Sequence, residues 1–178
     1  ALSAIQFAVE HLKVEHIMVV GHYGCAGVKA ALSGARIGLA DNWIRHIQDV
    51  RDRHAVMLDS LPEDVRVDAL CELNVAEQVV NVAVSTVMVD AWGRGQKVQI
   101  HGWTFGVHDG LLQDLGLNVD GARPLDAVYK AAVQRIRYKW SKPLGASPSA
   151  QAGADGTEGI DAAAAVAQAI ESTGTKTG

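Results

Sequence analysis

The chain has 178 residues, 48% of them hydrophobic and 20% charged, enough apolar material for one domain with a sizeable core. Sixteen basic against twenty acidic side chains leave a formal charge of -4, and no block of Lys and Arg marks a nucleic-acid or polybasic membrane site. No apolar run approaches the roughly 18 residues of a membrane span, no basic leader opens the chain, and two cysteines are too few for a disulfide framework; the expectation is a cytoplasmic protein with no nucleic-acid or membrane partner.

Residues 1–13 read as a helix, because Ile5, Ala8, Val9 and Leu12 recur at three- and four-residue steps. No capping residue precedes it, so the sequence is expected to begin inside an element. Ile17 to Val20 is a short continuous apolar run, as in a parallel strand covered on both faces. The stretch GHYGCAG, from Gly21 to Gly27, then turns the chain into a helix around Val28, Ala31 and Leu32, which Gly34 can stop. Asp41 is the expected N-cap of a helix carrying Trp43, Ile44, Ile47 and Val50 on one side. Ser60 and Glu63 fit a capping box, with Pro62 in the first turn. The helical period that begins there runs on to Ala91, long enough to predict a break before Leu70 and an end at Gly93 to Gly95.

Residues 97–107 read as a second strand, followed by a turn at Asp109-Gly110. Residues 124–140 make an amphipathic helix with Leu125, Val128, Ala132, Val133 and Ile136 inward and a basic end. From Ser141 the composition turns to Ser, Gly, Ala, Pro and Thr, which bury too little apolar area to offset ordering entropy. The expected organisation is therefore a domain at 1–140 and a disordered Ala/Gly/Ser-rich tail at 141–178, whose piece Ile160 to Ile170 is short for a stable helix.

A strand that ends in a glycine loop and feeds a helix is where open α/β sheets place ligand sites. His22 and Cys25 stand there, three residues apart. A helix N-terminus stabilises a thiolate, and thiolate with imidazole is a good donor set for zinc. The same two residues also read as a hydrogen-bonded strand-end histidine and a buried thiol, and spacing alone leaves both readings open. Cys71, beside Leu70 and Leu73, reads as core; His11, His16, His46, His54, His101 and His108 as structural or solvated. Glu72 and Glu77 read as a solvated or interface helix face, and Trp43, Trp92 and Trp103 as core or interface aromatics.

The order of longer blocks is more specific. SAIQFAVEHLKVEHIMVVGHYGCAGVKAAL, then NWIRHIQDVRDRH, LCELNVAEQVVN, the Trp92 to Gln96 segment and IHGWTFGVHDGLLQDL resemble the β-class carbonic anhydrases across residues 1–140. The resemblance implies an α/β fold with a parallel-sheet core and flanking helices. It also implies a zinc enzyme that interconverts carbon dioxide and bicarbonate, built as a homodimer or higher homo-oligomer. His22 and Cys25 match two of that family's three protein ligands, and the backbone amide of Ala26, where the family usually has Gly, matches a donor to bound substrate. The remaining ligand lies in a Cys-x-Asp-x-Arg motif that is absent from these residues. The chain is therefore expected to be the C-terminal part of such an enzyme, with the N-terminal portion missing and no Asp/Arg dyad of its own. Two alternatives stay open: a non-catalytic homologue or fragment that dimerises without a complete zinc site, and a related hydrolase of carbon disulfide or carbonyl sulfide, which would share the zinc ligands. Phe105, where relatives often carry Tyr, lacks a hydroxyl that could serve a regulatory pocket.

Overall fold

A computed structural model describes residues 1–141 and the two-residue strand Ile160–Asp161. In chain order the elements are α1 (Leu2–Glu10), β1 (His16–His22), α2 (Ala26–Ser33), a 3-10 turn (Gly38–Ala40), α3 (Asp41–Arg53), α4 (Ala55–Asp59), α5 (Glu63–Ala83), α6 (Thr86–Gly93), β2 (Gln99–Phe105), β3 (Leu111–Val119), α7 (Leu125–Trp140) and β4 (Ile160–Asp161). The strands form one sheet in the order β1-β2-β3-β4.

The sheet is mixed rather than parallel throughout. β1 pairs with β2 in parallel, Ile17 opposite Ile100 and Val20 opposite Trp103, across the long helical crossover α2 to α6. β2 and β3 are antiparallel, because the short connection 106–110 can join only antiparallel neighbours. Nor is β1 covered on both faces. Val19 and Ile17 pack with Val9, Val75, Val79, Met88, Ile100 and Leu117 in the cluster that α1, α5, α6 and α7 build on one side of the sheet. On the other side Met18 and Val20 are 40% and 48% exposed, and among the described residues only the small cluster of Trp103, Leu112 and Phe105 lies on that face.

α5 is continuous, without the break expected before Leu70. Its buried residues run from Val65 to Ala83 and serve both main core clusters, so no surface stretch interrupts the apolar lining. The interruption falls instead at Ser85, whose backbone is extended and whose hydroxyl donates to the Val82 carbonyl at 2.6 Å, and the following helix ends at Gly93 as expected. The capping box at Ser60 does not form: its hydroxyl donates to the Met57 carbonyl and closes α4, while Pro62 stands at the N-cap of α5 without a side-chain bond. Asp41 opens α3 from inside the helix, and its Oδ1 accepts the Ile37 N–H at 2.8 Å.

Of the tail, Ile160 and Asp161 pair antiparallel with Leu112 and Leu111 at the sheet edge. The rest of the expected disordered segment, including the alanine-rich piece towards Ile170, lies outside the described residues. Among the described residues no helix is long and apolar enough to cross a membrane.

Candidate functional site

The end of β1 approaches α5 so closely that only glycine fits at position 21: a Cβ there would stand 2.6 Å from Cγ2 of Val75. Beyond it His22 closes the strand, Gly24 adopts a positive φ of 68° that turns the loop, and Cys25 becomes the N-cap of α2. The loop is tied along its length. The Tyr23 N–H donates to the Phe105 carbonyl at 3.1 Å, the Gly24 N–H to Asp68 Oδ1 at 3.1 Å, and the Lys29 N–H to the Cys25 carbonyl at 3.0 Å.

His22 is exposed and Cys25 half-buried. His22 Nδ1 lies 3.1 Å from the Tyr23 carbonyl oxygen. The tautomer that donates this bond carries its proton on Nδ1 and leaves the Nε2 lone pair available to a ligand. Cys25 is the N-cap of α2, and Ala26, the first residue of that helix, carries one of the N–H groups that have no partner within it.

Cys71 is the opposite kind of cysteine. It is 2% exposed, and burial pushes its thiol up to about 12, so it sits in the core as a protonated side chain. Three of the six histidines read as structural or solvated have hydrogen-bond partners: His16 Nδ1 lies 3.0 Å from His101 Nε2, His101 Nδ1 lies 2.7 Å from Asn118 Oδ1, and His54 Nε2 lies 2.9 Å from the Tyr129 hydroxyl. Trp103 is buried, Trp92 donates its indole N–H to the Val98 carbonyl at 2.8 Å, and Trp43 is largely exposed.

Imidazole and thiolate are the right chemistry for zinc, but they are two donors, and a zinc site takes at least three protein ligands. Among the described residues no group of three His, Cys, Asp or Glu side chains converges. The described residues thus offer two candidate donors side by side and no closed metal site.

The reading of Glu72 and Glu77 as a solvated or interface helix face is overturned. Both are buried, and Glu72 is fully so. Its Oε1 accepts the Tyr23 O–H at 2.5 Å and Lys139 Nζ at 2.5 Å, and its Oε2 accepts the Trp140 indole N–H at 2.9 Å. Burial first, and the neighbouring Glu72 carboxylate second, hold the Tyr23 phenol far above its ordinary range, so it stays protonated and donates. Sequence reasoning missed this group. The available signal was a charged residue inside the apolar run of α5, one position from the buried Cys71.

Residues 1–112 match the family model of carbonic anhydrase. A carbonic anhydrase of Emericella nidulans is 41% identical over 122 residues, which cover 68% of this chain and 54% of that protein. Among solved structures, a Coccomyxa β-carbonic anhydrase in complex with acetazolamide superposes with a TM-score of 0.68 at 34% identity, over 78% of this chain and 63% of that one. One from a study of two tetrameric β-carbonic anhydrases of Sordaria macrospora gives 0.61 at 35% identity, over 66% of this chain and 60% of that one. The match spans between 36% and 54% of the length of curated relatives such as these. With the family model covering most of the described residues and the same α/β architecture in the solved relatives, the chain belongs to the β-class carbonic anhydrases.

Proposed function

We propose that these residues are part of an enzyme that hydrates carbon dioxide reversibly to bicarbonate and a proton, and that His22 and Cys25 are two of its zinc ligands. The observation that carries the reading is the loop after β1, in which an exposed imidazole with its Nε2 lone pair free stands three residues before a helix-capping cysteine. Zinc, when bound, supplies hydroxide at neutral pH by lowering the pKa of its water to about 7, a value carried over from three-histidine carbonic anhydrases.

What these residues contribute can be stated without the metal. The Nδ1–H bond of His22 fixes the imidazole's tautomer and ring orientation. Cys25, at the N-cap of α2, is the sulfur donor in this proposal, and the N–H of Ala26, the first residue of that helix, is its donor to a bicarbonate oxygen. The third donor, and an aspartate and arginine to orient the attacking hydroxide, come from outside these residues in this proposal. Homo-oligomerisation is part of it, supported by the exposed apolar side chains Phe7, Ile37, Leu39 and Trp43. The proposed setting is the cytoplasm, where two free thiols stay reduced.

The test is Cys25→Ser in the complete protein. A neutral hydroxyl is a far poorer zinc donor than a thiolate, so zinc content by atomic absorption and carbon dioxide hydration by stopped flow should both be lost. Normal zinc stoichiometry in that variant overturns the ligand assignment.

A further inference from the structure

The loop from Gly21 to Cys25 rests on a single stripe of α5. Asp68, Cys71, Glu72 and Val75 stand at positions i, i+3, i+4 and i+7 and share one helix face. Asp68 accepts the Gly24 N–H, Glu72 accepts the Tyr23 O–H, and Val75 packs where Gly21 leaves room for no side chain. Tyr23, between the two candidate ligands, is the most heavily held residue of the loop. Its hydroxyl also accepts from Thr104 Oγ1 at 2.9 Å and lies 3.1 Å from Lys139 Nζ.

A carboxylate as deep as Glu72 is tolerated only when donors engage its oxygens, and here three do, two of them from the last turn of α7. For stability alone an apolar side chain of similar volume would serve at this position at least as well. What the charged group adds is direction: it fixes the tyrosine ring and, through the backbone, the residues on either side. We propose that Glu72, held by Lys139 and Trp140, is a positioning residue for the His22–Cys25 loop and acts through the Tyr23 hydroxyl to set the separation and orientation of the two side chains. The purpose of the network rests on the ligand reading above; its geometry does not.

Two variants test it: Tyr23→Phe, and the double change Glu72→Gln with Lys139→Met, which removes both charges together and leaves neither buried alone. In the 178-residue chain, amide hydrogen exchange at Tyr23, Gly24 and Lys29, whose N–H groups are hydrogen-bonded, is compared with exchange at Leu73 and Ala76 inside α5. Each variant should accelerate exchange in the loop roughly tenfold, as loss of one hydrogen bond to a charged group implies, and leave the α5 amides unchanged. In the complete protein, zinc affinity measured by competition with a chromophoric chelator at fixed pH should fall about 10- to 100-fold, the range seen when groups that orient a metal ligand are removed. Unchanged loop exchange overturns the proposal, and so does acceleration that the α5 amides share, since that reports lost global stability alone. If Tyr23→Phe loosens the loop while Cys25→Ser keeps its zinc, the ligand reading fails and the positioning of the loop stands.

Discussion

Glu72 and Glu77 sit five residues apart on α5, both buried, each with a tyrosine hydroxyl and a cation, yet they hold different parts of the molecule. Their side chains leave the helix about 140° apart. Glu72 reaches the end of β1 and the last turn of α7, where Tyr23, Lys139 and Trp140 close around it. Glu77 accepts from the Tyr129 hydroxyl in α7 and the Arg53 guanidinium at the end of α3, with His54 Nε2 3.6 Å away. The cations differ in kind: the Lys139 side chain is 29% exposed and that of Arg53 60%. A pair with one partner largely in water is screened and can be broken without stranding a charge, whereas a closed pair cannot. Burial of a carboxylate therefore does not by itself point to function. The difference lies in what each carboxylate holds: a loop with two candidate ligands in one case, and only helices in the other.

The sharpest way to break this comparison is to neutralise each carboxylate in turn. Glu72→Gln leaves Lys139 Nζ in a half-buried site without its counter-charge and should destabilise the chain by about 3 kcal/mol. Glu77→Gln lets Arg53 turn to solvent and should lose only about 1 to 2 kcal/mol. Urea unfolding followed by circular dichroism measures both, and equal losses would erase the distinction drawn from the exposure of the cations. Cys71→Ala sharpens it further, because it removes packing from the stripe that carries Glu72 and leaves the charges in place. A loss on the order of 1 to 2 kcal/mol is expected, with zinc content of the complete protein unchanged. Loss of zinc there would show that the wrong cysteine has been taken as structural.

The same comparison shows why some of the molecule was legible in the sequence. β1, β2, α7 and the loop at His22 and Cys25 announce themselves locally, through apolar runs, glycines and a helical period. β3 does not. Its pairing with β2 is irregular at Gly102/Trp103, and Gly116 has a φ of 68°; this sends Leu112 to the face of Trp103 and Phe105 while Leu115, Leu117 and Val119 face the helices. An alternation that changes phase midway reads as no alternation. The two glutamates were misread for a related reason. A charge on a helix is ordinarily solvated, and the partners that make these two exceptions are far away in sequence: Tyr23 is 49 residues from Glu72, and Lys139 is 67.

The smallest expected effect is a pH dependence carried by the Glu77 cluster and absent from the Glu72 cluster. His54 is mostly buried, and burial lowers its pKa below the ordinary 6.5 although Glu77 pulls it upward; the Arg53 charge adds to the lowering. A histidine whose folded pKa is depressed takes up its proton in the unfolded chain first. Its contribution to stability is therefore complete above pH 6.5 and is lost as the pH falls through the folded pKa. His101 acts in the same direction, again through burial, with His16 lowering its pKa further and Asn118 and Asp114 opposing. In His54→Gln, a neutral side chain that can still donate to the Tyr129 hydroxyl, the decline in unfolding free energy between about pH 7 and pH 5 should be shallower than in the parent. The double change Glu72→Gln with Lys139→Met brings no histidine into play and should leave that slope as it was. An unchanged slope in His54→Gln, or a flattened one in the Glu72 double variant, would place the acid sensitivity elsewhere and remove the last difference claimed between the two carboxylates.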